Sequence, residues 1–240
     1  MTIYAVGDIH GQIEMLSKAL ELIETDGGKD AEIVFLGDLV DRGANSRDVV
    51  EMLLQGQASG RNWHVLKGNH DRIFERFVTS GFQYDPRIKS GLGWLDRRMG
   101  GIETLTSYGI TGATDPATDE VQKAAQAAVP QAHVDYLHNL PLWHRHQELL
   151  FVHAGIAPEI ALDKQTEEDL IWIRDPFHKY TQPHPWLIVH GHTALDYPQH
   201  FGNRIDLDGG AGYGRSIIPA VFEGRDCWLL GDHGREALLP

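Results

Sequence analysis

Residues 32–43 read EIVFLGDLVDRG, a short apolar run that ends in a cluster of glycine, aspartate and arginine. An apolar run of this length followed directly by turn-forming residues is typical of a buried strand. Asp38 stands at the predicted strand end, and Asp41 and Arg42 follow it within the loop. The stretch therefore predicts a buried strand whose carboxyl end carries two carboxylates and a guanidinium group.

The same pattern recurs in four further places. The apolar runs are 3–6 before GDIHG, 63–67 before GNHD, 149–152 before HAG and 186–189 before HGHT. Helical periodicity separates the first strands, because apolar residues fall three or four positions apart over 13–23 and over 49–54, the latter after a candidate N-cap at Ser46. Alternating strands and helices indicate an α/β fold. Since ligands of open α/β sheets bind outside the carboxyl ends of the strands, we expect the five polar clusters to converge.

The recurring pattern of an apolar run followed by a polar cluster is absent between about residues 72 and 140. Helix-like stretches at 72–77, 120–129 and 132–140 alternate there with breaks at Gly91, Gly93, Gly100, Gly101 and Pro130. We interpret 72–140 as a helical, cap-like insertion in a single domain that spans residues 1–240. After residue 186, candidate strands at 204–207, 217–222 and 226–230 predict a second, partly antiparallel sheet.

Composition excludes several classes of protein. The 240 residues contain 21 Lys and Arg against 34 Asp and Glu, a formal charge of −13, which argues against general binding of nucleic acid. No apolar run approaches the ~20 residues that cross a bilayer. The single cysteine, Cys227, excludes an intramolecular disulfide, and the start MTIYAVGD has no basic stretch followed by an apolar segment. These features favour a cytoplasmic protein and leave its oligomeric state open.

Six residues of the five clusters have side chains that bind divalent metals. They are Asp8, His10, Asp38, Asn69, His153 and His192. Such a mixed nitrogen and oxygen donor set suits Mn²⁺, Fe or Zn²⁺ better than Mg²⁺ or Ca²⁺, which prefer oxygen. Six donors suffice for two ions that share Asp38. His190 lies two residues before His192 and is either a neighbour of the site or the end of its strand.

Two further residues point to an anionic substrate. The guanidinium of Arg42 matches phosphate oxygens bidentately, so its place beside metal-binding carboxylates indicates a phosphate ligand. Asn69 and His70 are adjacent at a predicted strand end and therefore point in different directions. This assigns Asn69 to the metal and His70 to the substrate.

The ordered motifs resemble those of the calcineurin-like metallophosphoesterases, and within them the bacterial and phage branch of the phosphoprotein phosphatase family. The matching strings are G7-D-I-H-G11, G37-D-L-V-D-R-G43, G68-N-H-D71, H153-A-G155 and G191-H-T193. The resemblance implies a mixed β-sandwich flanked by helices, in four α/β/β/α layers, with a helical insertion.

The resemblance also implies a role for each site residue. One metal would be held by Asp8, His10 and Asp38, and the other by Asp38, Asn69, His153 and His192, with Mn²⁺ expected and Fe or Zn²⁺ as alternatives. His70 would be a general acid oriented by Asp41, while Arg42 and the arginine of the Trp172-Ile173-Arg174 string would hold phosphate. Hydrolysis would proceed by in-line attack of metal-bound hydroxide, without a covalent phosphoenzyme.

The expected activity is that of a phosphomonoesterase acting on phosphoserine or phosphothreonine in proteins. The alternative is a symmetrical dinucleoside tetraphosphate hydrolase, although bacterial enzymes of that type usually have alanine at the position of Asp41. Ala194 stands where many nucleases and phosphodiesterases of the wider family have a histidine, which disfavours those activities. The expected partner is a phosphoprotein or a small phosphoester, with neither nucleic acid nor membrane involved.

Two features bear on the alternatives. Recognition of a nucleoside needs an aromatic stacking surface, for which Phe82, Tyr84 and Trp94 are available, although we interpret these three as core of the insertion. A protein that merely binds phosphate on the same fold would have lost a ligand or His70, and the sequence retains all of them.

Overall fold

The computed structural model describes residues 2–88 and 91–240, in which two mixed β-sheets pack face to face between helices. The strands of this part of the chain are β1 Thr2–Val6, β2 Ile33–Phe35, β3 Trp63–Val65, β4 Trp143–His146, β5 Leu149–Val152, β6 Leu187–His190, β7 Gln199–His200, β8 Arg204–Asp206, β9 Ala220–Glu223, β10 Asp226–Gly231 and β11 Gly234–Ala237. The first sheet has the order β11-β10-β9-β1-β2-β3, and the second has the order β4-β5-β6-β8-β7.

Helices cover the outer faces of both sheets. The α-helices of the described residues are α1 Ile13–Gly27, α2 Ser46–Ala58, α3 Asn69–Ser80, α4 Gly101–Ser107, α5 Asp119–Ala128, α6 Gln131–Asn139, α7 Glu167–Trp172 and α8 Asp175–His178. Helices α1 and α2 connect the parallel strands β1, β2 and β3 and pack with them in one apolar core, while α7 and α8 pack on the second sheet. The order of layers is therefore helix, sheet, sheet, helix, as the resemblance implied.

Strand β1 shows why the apolar runs lack polar alternation. Tyr4 and Val6 join the core beneath the helices, whereas Ile3 and Ala5 face the second sheet. Successive side chains of a strand point to opposite faces, so a strand buried on both faces must be apolar at every position. The same burial on both sides holds for β2 and β5.

Two of the three strands predicted for a second sheet belong to the first sheet instead. Strands β9 and β10 pair with the first sheet, where β9 runs antiparallel to β1 with Ala5 opposite Ala220. Of the three predicted strands, only the one at 204–207 lies in the second sheet, as β8. The physical reason is that β2 occupies one edge of β1 and leaves the other edge with unpaired backbone groups, which β9 satisfies.

Local predictions also needed correction. Strands β4, β7 and β11 had not been predicted, because their polar sequences give no apolar run. Gly101, expected as a break, begins α4, where its missing side chain makes room for the ring of Trp94. Ser46 is the first residue of α2 and Asn45 holds the N-cap position, since the Ser46 hydroxyl accepts the Asp41 backbone N–H instead.

Helices α3 to α6 occupy most of the predicted insertion and pack against the same core as α1 and α2. Phe74, Leu105, Ala125 and Leu137, one from each of these helices, belong to that core. Residues 89 and 90 of the predicted insertion lie outside the described residues. The boundary of the insertion and the single domain over 1–240 stay predictions. None of the described helices is both long and apolar enough to span a membrane.

The core between the sheets gives a stability prediction. Phe222 is fully buried there and its ring meets that of Phe151 edge to face at 5.8 Å. We expect Phe222→Ala to lower the free energy of unfolding by about 3–5 kcal/mol, because the cavity cannot collapse between two packed sheets. Urea denaturation measures the loss, with Leu239→Ala at a 75% exposed position as the control. A loss from Phe222→Ala as small as that of the control would contradict this packing.

Candidate active site

The site lies at the carboxyl ends of five strands that contribute one loop each. The loops follow β1, β2 and β3 of the first sheet and β5 and β6 of the second. The six predicted metal ligands on these loops are all buried: Asp8, His10, Asp38, Asn69, His153 and His192. The structure thus brings together residues separated by as much as 184 positions in the sequence, since the His192 backbone N–H donates to Asp8 Oδ1 at 3.1 Å.

The loops hold several of these residues in left-handed backbone conformations. The φ angles are 50° at His10, 50° at Asp38, 74° at Asp41, 68° at Arg42 and 69° at His192. Such a conformation in a residue other than glycine costs about 1–3 kcal/mol and persists only where the surroundings enforce it. Here the Asp38 carbonyl accepts from the backbone N–H groups of Ile9 at 3.1 Å and His10 at 2.8 Å. The strain is concentrated at the residues that form the site.

Glycine allows the loops to approach each other. A Cβ atom on Gly68 would lie 2.1 Å from Asp38 Oδ1 and 2.2 Å from the Asp38 backbone nitrogen, closer than any real contact. The φ of Gly68 is −94°, which any residue can adopt. Glycine is needed here because a side chain would clash with Asp38, and not because of the backbone conformation. The glycine of the GNHD string is therefore required for the position of Asp38.

One group of donors surrounds the Nε2 atom of His10. It lies 3.7 Å from Asp38 Oδ2 and 3.9 Å from Asp8 Oδ2. His10 Nδ1 is 2.9 Å from the Val40 carbonyl and donates to it, which leaves Nε2 as the nitrogen that can bind a metal.

A second group of donors converges on the amide oxygen of Asn69. Oδ1 of Asn69 lies 2.8 Å from His192 Nδ1 and 3.0 Å from His153 Nε2. His153 Nε2 is 3.4 Å from Asp38 Oδ1, while its Nδ1 donates to the Leu36 carbonyl at 2.9 Å. Asp38 therefore presents one carboxylate oxygen to each group of donors.

Burial sets the charge of these side chains. It raises the pKa of Asp8 well above its usual range, and the neighbouring carboxylates of Asp208 and Asp38 raise it further. Burial also lowers the pKa of His10 and of His192 well below the ordinary value, so both imidazoles are neutral and have lone pairs to donate. Buried, mutually repelling carboxylates beside neutral imidazoles form a donor set that divalent cations satisfy. The residues present therefore fit a pair of metal ions sharing Asp38.

His70 is held in a separate network beside the metal-binding side chains. Its Nδ1 atom donates to Asp41 Oδ2 at 2.6 Å. The Asp41 carboxylate is fully buried and also accepts from Trp94 Nε1 at 2.8 Å and from the Thr104 hydroxyl at 2.7 Å. Three donors thus fix Asp41, which in turn fixes the ring of His70 with Nε2 directed towards Arg42, whose NH2 group is 3.2 Å away.

Arg42 and Arg174 lie on either side of the donor groups. Arg42 NH1 is 2.6 Å from His10 Nε2, and Arg174 Nε is 3.2 Å from His192 Nε2. The buried Nε of Arg42 has no hydrogen-bond partner among the described residues. Both guanidinium groups therefore have donors available for an anion in the cavity.

Two cavities meet at this centre and share three residues, Arg42, Arg174 and His192. The first has a volume of about 410 Å³ and also includes Arg87, Ile88, Met99 and Trp172 in its lining. The second has a volume of about 380 Å³ and is lined further by Asp208, Tyr213 and Arg215, among others. The centre thus lies where two adjoining grooves meet.

Sequence analysis missed several of these residues. Asp208 follows β8 just as Asp38 follows β2, so the strand at 204–207 and its DGG string gave a sixth instance of the same pattern. Tyr213 is 63% exposed in the glycine-rich loop that precedes β9, and no sequence signal distinguished it. Trp94, considered as a stacking surface, is fully buried and donates a hydrogen bond to Asp41 instead.

His190 lies in the core behind the site. Its Nε2 accepts from Arg204 NH1 at 3.0 Å, and its ring packs against Phe177 at 5.1 Å between centroids. The side chain therefore contacts the second sheet and its covering helix α8, and not the donor groups described above.

Comparison with known proteins identifies the family to which the chain belongs. A family model described as calcineurin-like phosphoesterase matches residues 1–215. A symmetrical bis(5'-nucleosyl)-tetraphosphatase of Chromobacterium violaceum is 30% identical over 164 residues, which is 68% of this chain but 47% of that protein. An asymmetrical bis(5'-nucleosyl)-tetraphosphatase, PrpE of Oceanobacillus iheyensis, is 25% identical over 92% of this chain and 89% of its own length. The chain spans about half the length of the first relative and most of the second.

Solved structures share the fold. A chain described as "a putative diadenosine tetraphosphatase" has a TM-score of 0.67 at 22% identity and covers 95% of this chain and 92% of its own. A cold-active protein tyrosine phosphatase has a TM-score of 0.64 at 20% identity, with 98% and 78% covered. At these identities the likeness concerns the fold alone.

The contact between Gly68 and Asp38 gives a test of the loop packing. We expect Gly68→Ala to lower the hydrolysis of p-nitrophenyl phosphate by roughly 100-fold, because a displacement of Asp38 by about 1 Å disturbs both groups of donors. Gly231→Ala is the matched control, since a Cβ at Gly231 meets nothing within 4 Å. Turnover by the Gly68→Ala variant at the rate of the control would show that the position of Asp38 does not depend on this contact.

Proposed function

The chain belongs to the calcineurin-like phosphoesterase family, and on that premise we propose that it is a metal-dependent hydrolase of dinucleoside tetraphosphates. The observation that carries this proposal is the pair of grooves that meet at Arg42, Arg174 and His192. A phosphomonoester has one organic group beside its phosphate, whereas a dinucleoside tetraphosphate has a nucleoside at each end of the phosphate chain. Two grooves on either side of one reactive centre match the second kind of substrate.

Each groove supplies an aromatic ring for a base. Trp172 lines the first groove and Tyr213 the second. The Tyr213 ring is 63% exposed and stands 5.2 Å from the Arg42 guanidinium carbon and 5.5 Å from that of Arg215. An exposed ring near two guanidinium groups places an aromatic surface beside phosphate-binding cations.

The cations of the grooves match an extended polyphosphate. Arg42, Arg174 and Arg215 line the second groove, and Arg87 lines the first. The chain as a whole has a formal charge of −13, so the grouping of four arginines around one centre contrasts with the overall negative charge. Arginine binds phosphate oxygens through paired N–H groups, and such clusters recognise polyanions. The two tetraphosphatase names among the relatives support the same substrate class.

Two divalent cations would be held by the six buried donors, with Asp38 contributing to both. When bound, such ions stabilise negative charge on phosphate oxygens and lower the pKa of the attacking water. We propose Mn²⁺ as the natural metal, with Fe or Zn²⁺ as alternatives, because the carboxylate and amide oxygens suit Mn²⁺ and the imidazoles suit Fe and Zn²⁺.

The remaining side chains have separate tasks. Arg42 and Arg174 hold the oxygens of the phosphoryl group under attack and neutralise the charge that accumulates there. His70, whose Nδ1 is fixed by Asp41 at 2.6 Å, holds a proton at Nε2 for the leaving oxygen. Trp94 and Thr104 position Asp41 and have no contact with the substrate in this scheme.

A second candidate activity is the dephosphorylation of phosphoserine or phosphothreonine in proteins. The observation in its favour is Asp41, which the phosphoprotein phosphatase motif contains and bacterial symmetrical tetraphosphatases usually replace by alanine. The hydrogen bond of Asp41 to His70 fixes the orientation of the ring as a general acid, which an alkyl leaving group needs more than a phosphate leaving group does. The substrate comparison below distinguishes the two activities.

The role of His70 gives a prediction about leaving groups. We expect His70→Asn to lower turnover about 10²–10⁴-fold while the protein retains its metals, because the imidazole is not a metal ligand in this scheme. The loss should be larger for an alkyl phosphate than for p-nitrophenyl phosphate, whose leaving group needs no proton. Equal losses for both substrates would exclude the general-acid role.

The substrate class is tested with protein that has been stripped of metal and reloaded with Mn²⁺. We expect diadenosine tetraphosphate to be hydrolysed with a higher kcat/KM than a phosphoserine or phosphothreonine peptide at equal concentration. Chromatography of the products gives the position of cleavage: ADP alone marks a symmetrical cut, and ATP with AMP an asymmetrical one. Preference for the peptide would contradict the proposal and support the second candidate.

Tyr213 provides the matched variant for this comparison. We expect Tyr213→Ala to raise KM for diadenosine tetraphosphate by about 5–150-fold, the loss of one stacked base at about 1–3 kcal/mol, and to leave KM for p-nitrophenyl phosphate unchanged. Tyr84→Ala, at a 50% exposed tyrosine that does not line either groove, is the control. An equal change for both substrates would show that Tyr213 does not contact a base.

A further inference from the structure

A second cluster of metal-binding side chains lies at the other end of β2. Glu32 precedes this strand and Asp38 follows it, so the two carboxylates are separated by about 20 Å of nearly extended chain. Three histidines surround Glu32: His64 of β3 and His144 and His146 of β4. None of these four residues lines either groove of the active site.

The sheet register explains why the four side chains meet. His64 pairs with Val34, which faces the second sheet, so the His64 side chain points to the same side. His144 and His146 are two positions apart in β4 and therefore share one face of that strand. Strands β3 and β4 are the edge strands of the first and the second sheet. The cluster therefore spans the gap between the two sheets at one open edge of the sandwich.

The distances within the cluster fit a metal ion. Oε1 of Glu32 lies 3.1 Å from His64 Nε2, 3.6 Å from His144 Nε2 and 3.5 Å from His146 Nδ1. Donor atoms at about 2.0–2.1 Å from a tetrahedral zinc ion are themselves about 3.4 Å apart. The donor atoms of Glu32, His64 and His144 all lie within 4.8 Å of one another.

Two observations show that protein groups alone leave the cluster incomplete. The Nε2 atom of His144, which faces Glu32 Oε1 at 3.6 Å, is buried and has no hydrogen-bond partner among the described residues. The rings of His64 and His144 stack at 3.9 Å between centroids, an arrangement that two imidazolium cations would oppose. Burial, followed by the proximity of His64, lowers the pKa of His144 to about 4, so this ring is neutral and has a lone pair to donate.

From this geometry we infer that Glu32, His64 and His144 form a zinc site separate from the active site, with His146 as the adjoining fourth donor. Two imidazoles and a carboxylate are a set that zinc binds in proteins, and a third imidazole would supply the fourth ligand. The ligands come from both sheets, so bound zinc would cross-link the edges of the sandwich. The site is structural, and hydrolysis at the active site does not require it.

The test counts zinc ions per chain in the intact protein. Wild type and the His64→Gln/His144→Gln variant are saturated with ZnCl₂, freed of excess metal by gel filtration and analysed by mass spectrometry for zinc. We expect the variant to hold one zinc equivalent less than wild type. His138→Gln is the matched control, because His138 pairs with Glu75 at 3.4 Å on the surface and shares no ligand with the cluster. It should hold as much zinc as wild type.

Thermal unfolding gives a second measurement. At zinc concentrations about 100-fold above the dissociation constant, we expect the zinc-dependent rise in Tm to be about 5–10 °C smaller in the double variant. With Mn²⁺ loaded, its hydrolysis of p-nitrophenyl phosphate should equal that of wild type, so failure of the proposed function and failure of the zinc site are distinguishable. Equal zinc content in the variant and wild type would overturn the inference. If the double variant does not fold, Glu32→Gln, which preserves shape, decides by the same zinc count.

Discussion

The crowding of buried carboxylates at Asp38 is the constraint on which the rest of the site depends. Burial raises the pKa of both Asp8 and Asp208, the carboxylates of Asp208 and Asp38 raise that of Asp8 further, and Asp38 also raises that of Asp208. Apolar burial alone would not tolerate this concentration of charge. Divalent cations bound between the carboxylates would relieve it, and the neutral histidines around them would complete the coordination. The buried negative charge is therefore the physical reason to expect metals at this site, and bound metals would allow that charge to remain buried.

The fold meets this constraint with rigid sheets and strained loops. Five strand ends from two sheets meet at one place, and four of these strands, β1, β2, β5 and β6, are buried on both faces. The left-handed φ angles at residues such as Asp38 and Arg42 show that the loops are held against their own preference. The stability of the β-sandwich supplies that energy. The Glu32 cluster lies at the opposite end of β2, where a cross-link between the sheets would reinforce the same framework.

Much of this arrangement could be predicted from the sequence, because the ligand types follow buried strands at once. Asp38 and Asn69 lie close together because β2 and β3 are parallel neighbours, and the same holds for His153 and His192, which follow the parallel neighbours β5 and β6. The position of β9 could not be predicted, since which edge a strand joins depends on the edges left free by the rest of the sheet. Trp94 could not be assigned to Asp41 either, because a hydrogen bond across 53 positions leaves no local pattern. The grooves depend on exposed side chains, which hydrophobic periodicity does not report.

The substrate assignment and the metal centre are separable. The metal centre follows from the buried donors, whereas the substrate class follows from the two grooves and from Tyr213 and Trp172. A different substrate would leave the chemistry of the centre intact. A different arrangement of metals would remove the basis of both, which makes the sharing of Asp38 the central claim.

Anomalous diffraction from crystals soaked in Mn²⁺ tests that claim most directly. We expect two manganese peaks about 3.5–4 Å apart, both bonded to the Asp38 carboxylate. One peak should also contact His10 and Asp8, and the other Asn69, His153 and His192. A single peak, or two peaks of which one has no bond to Asp38, would contradict it.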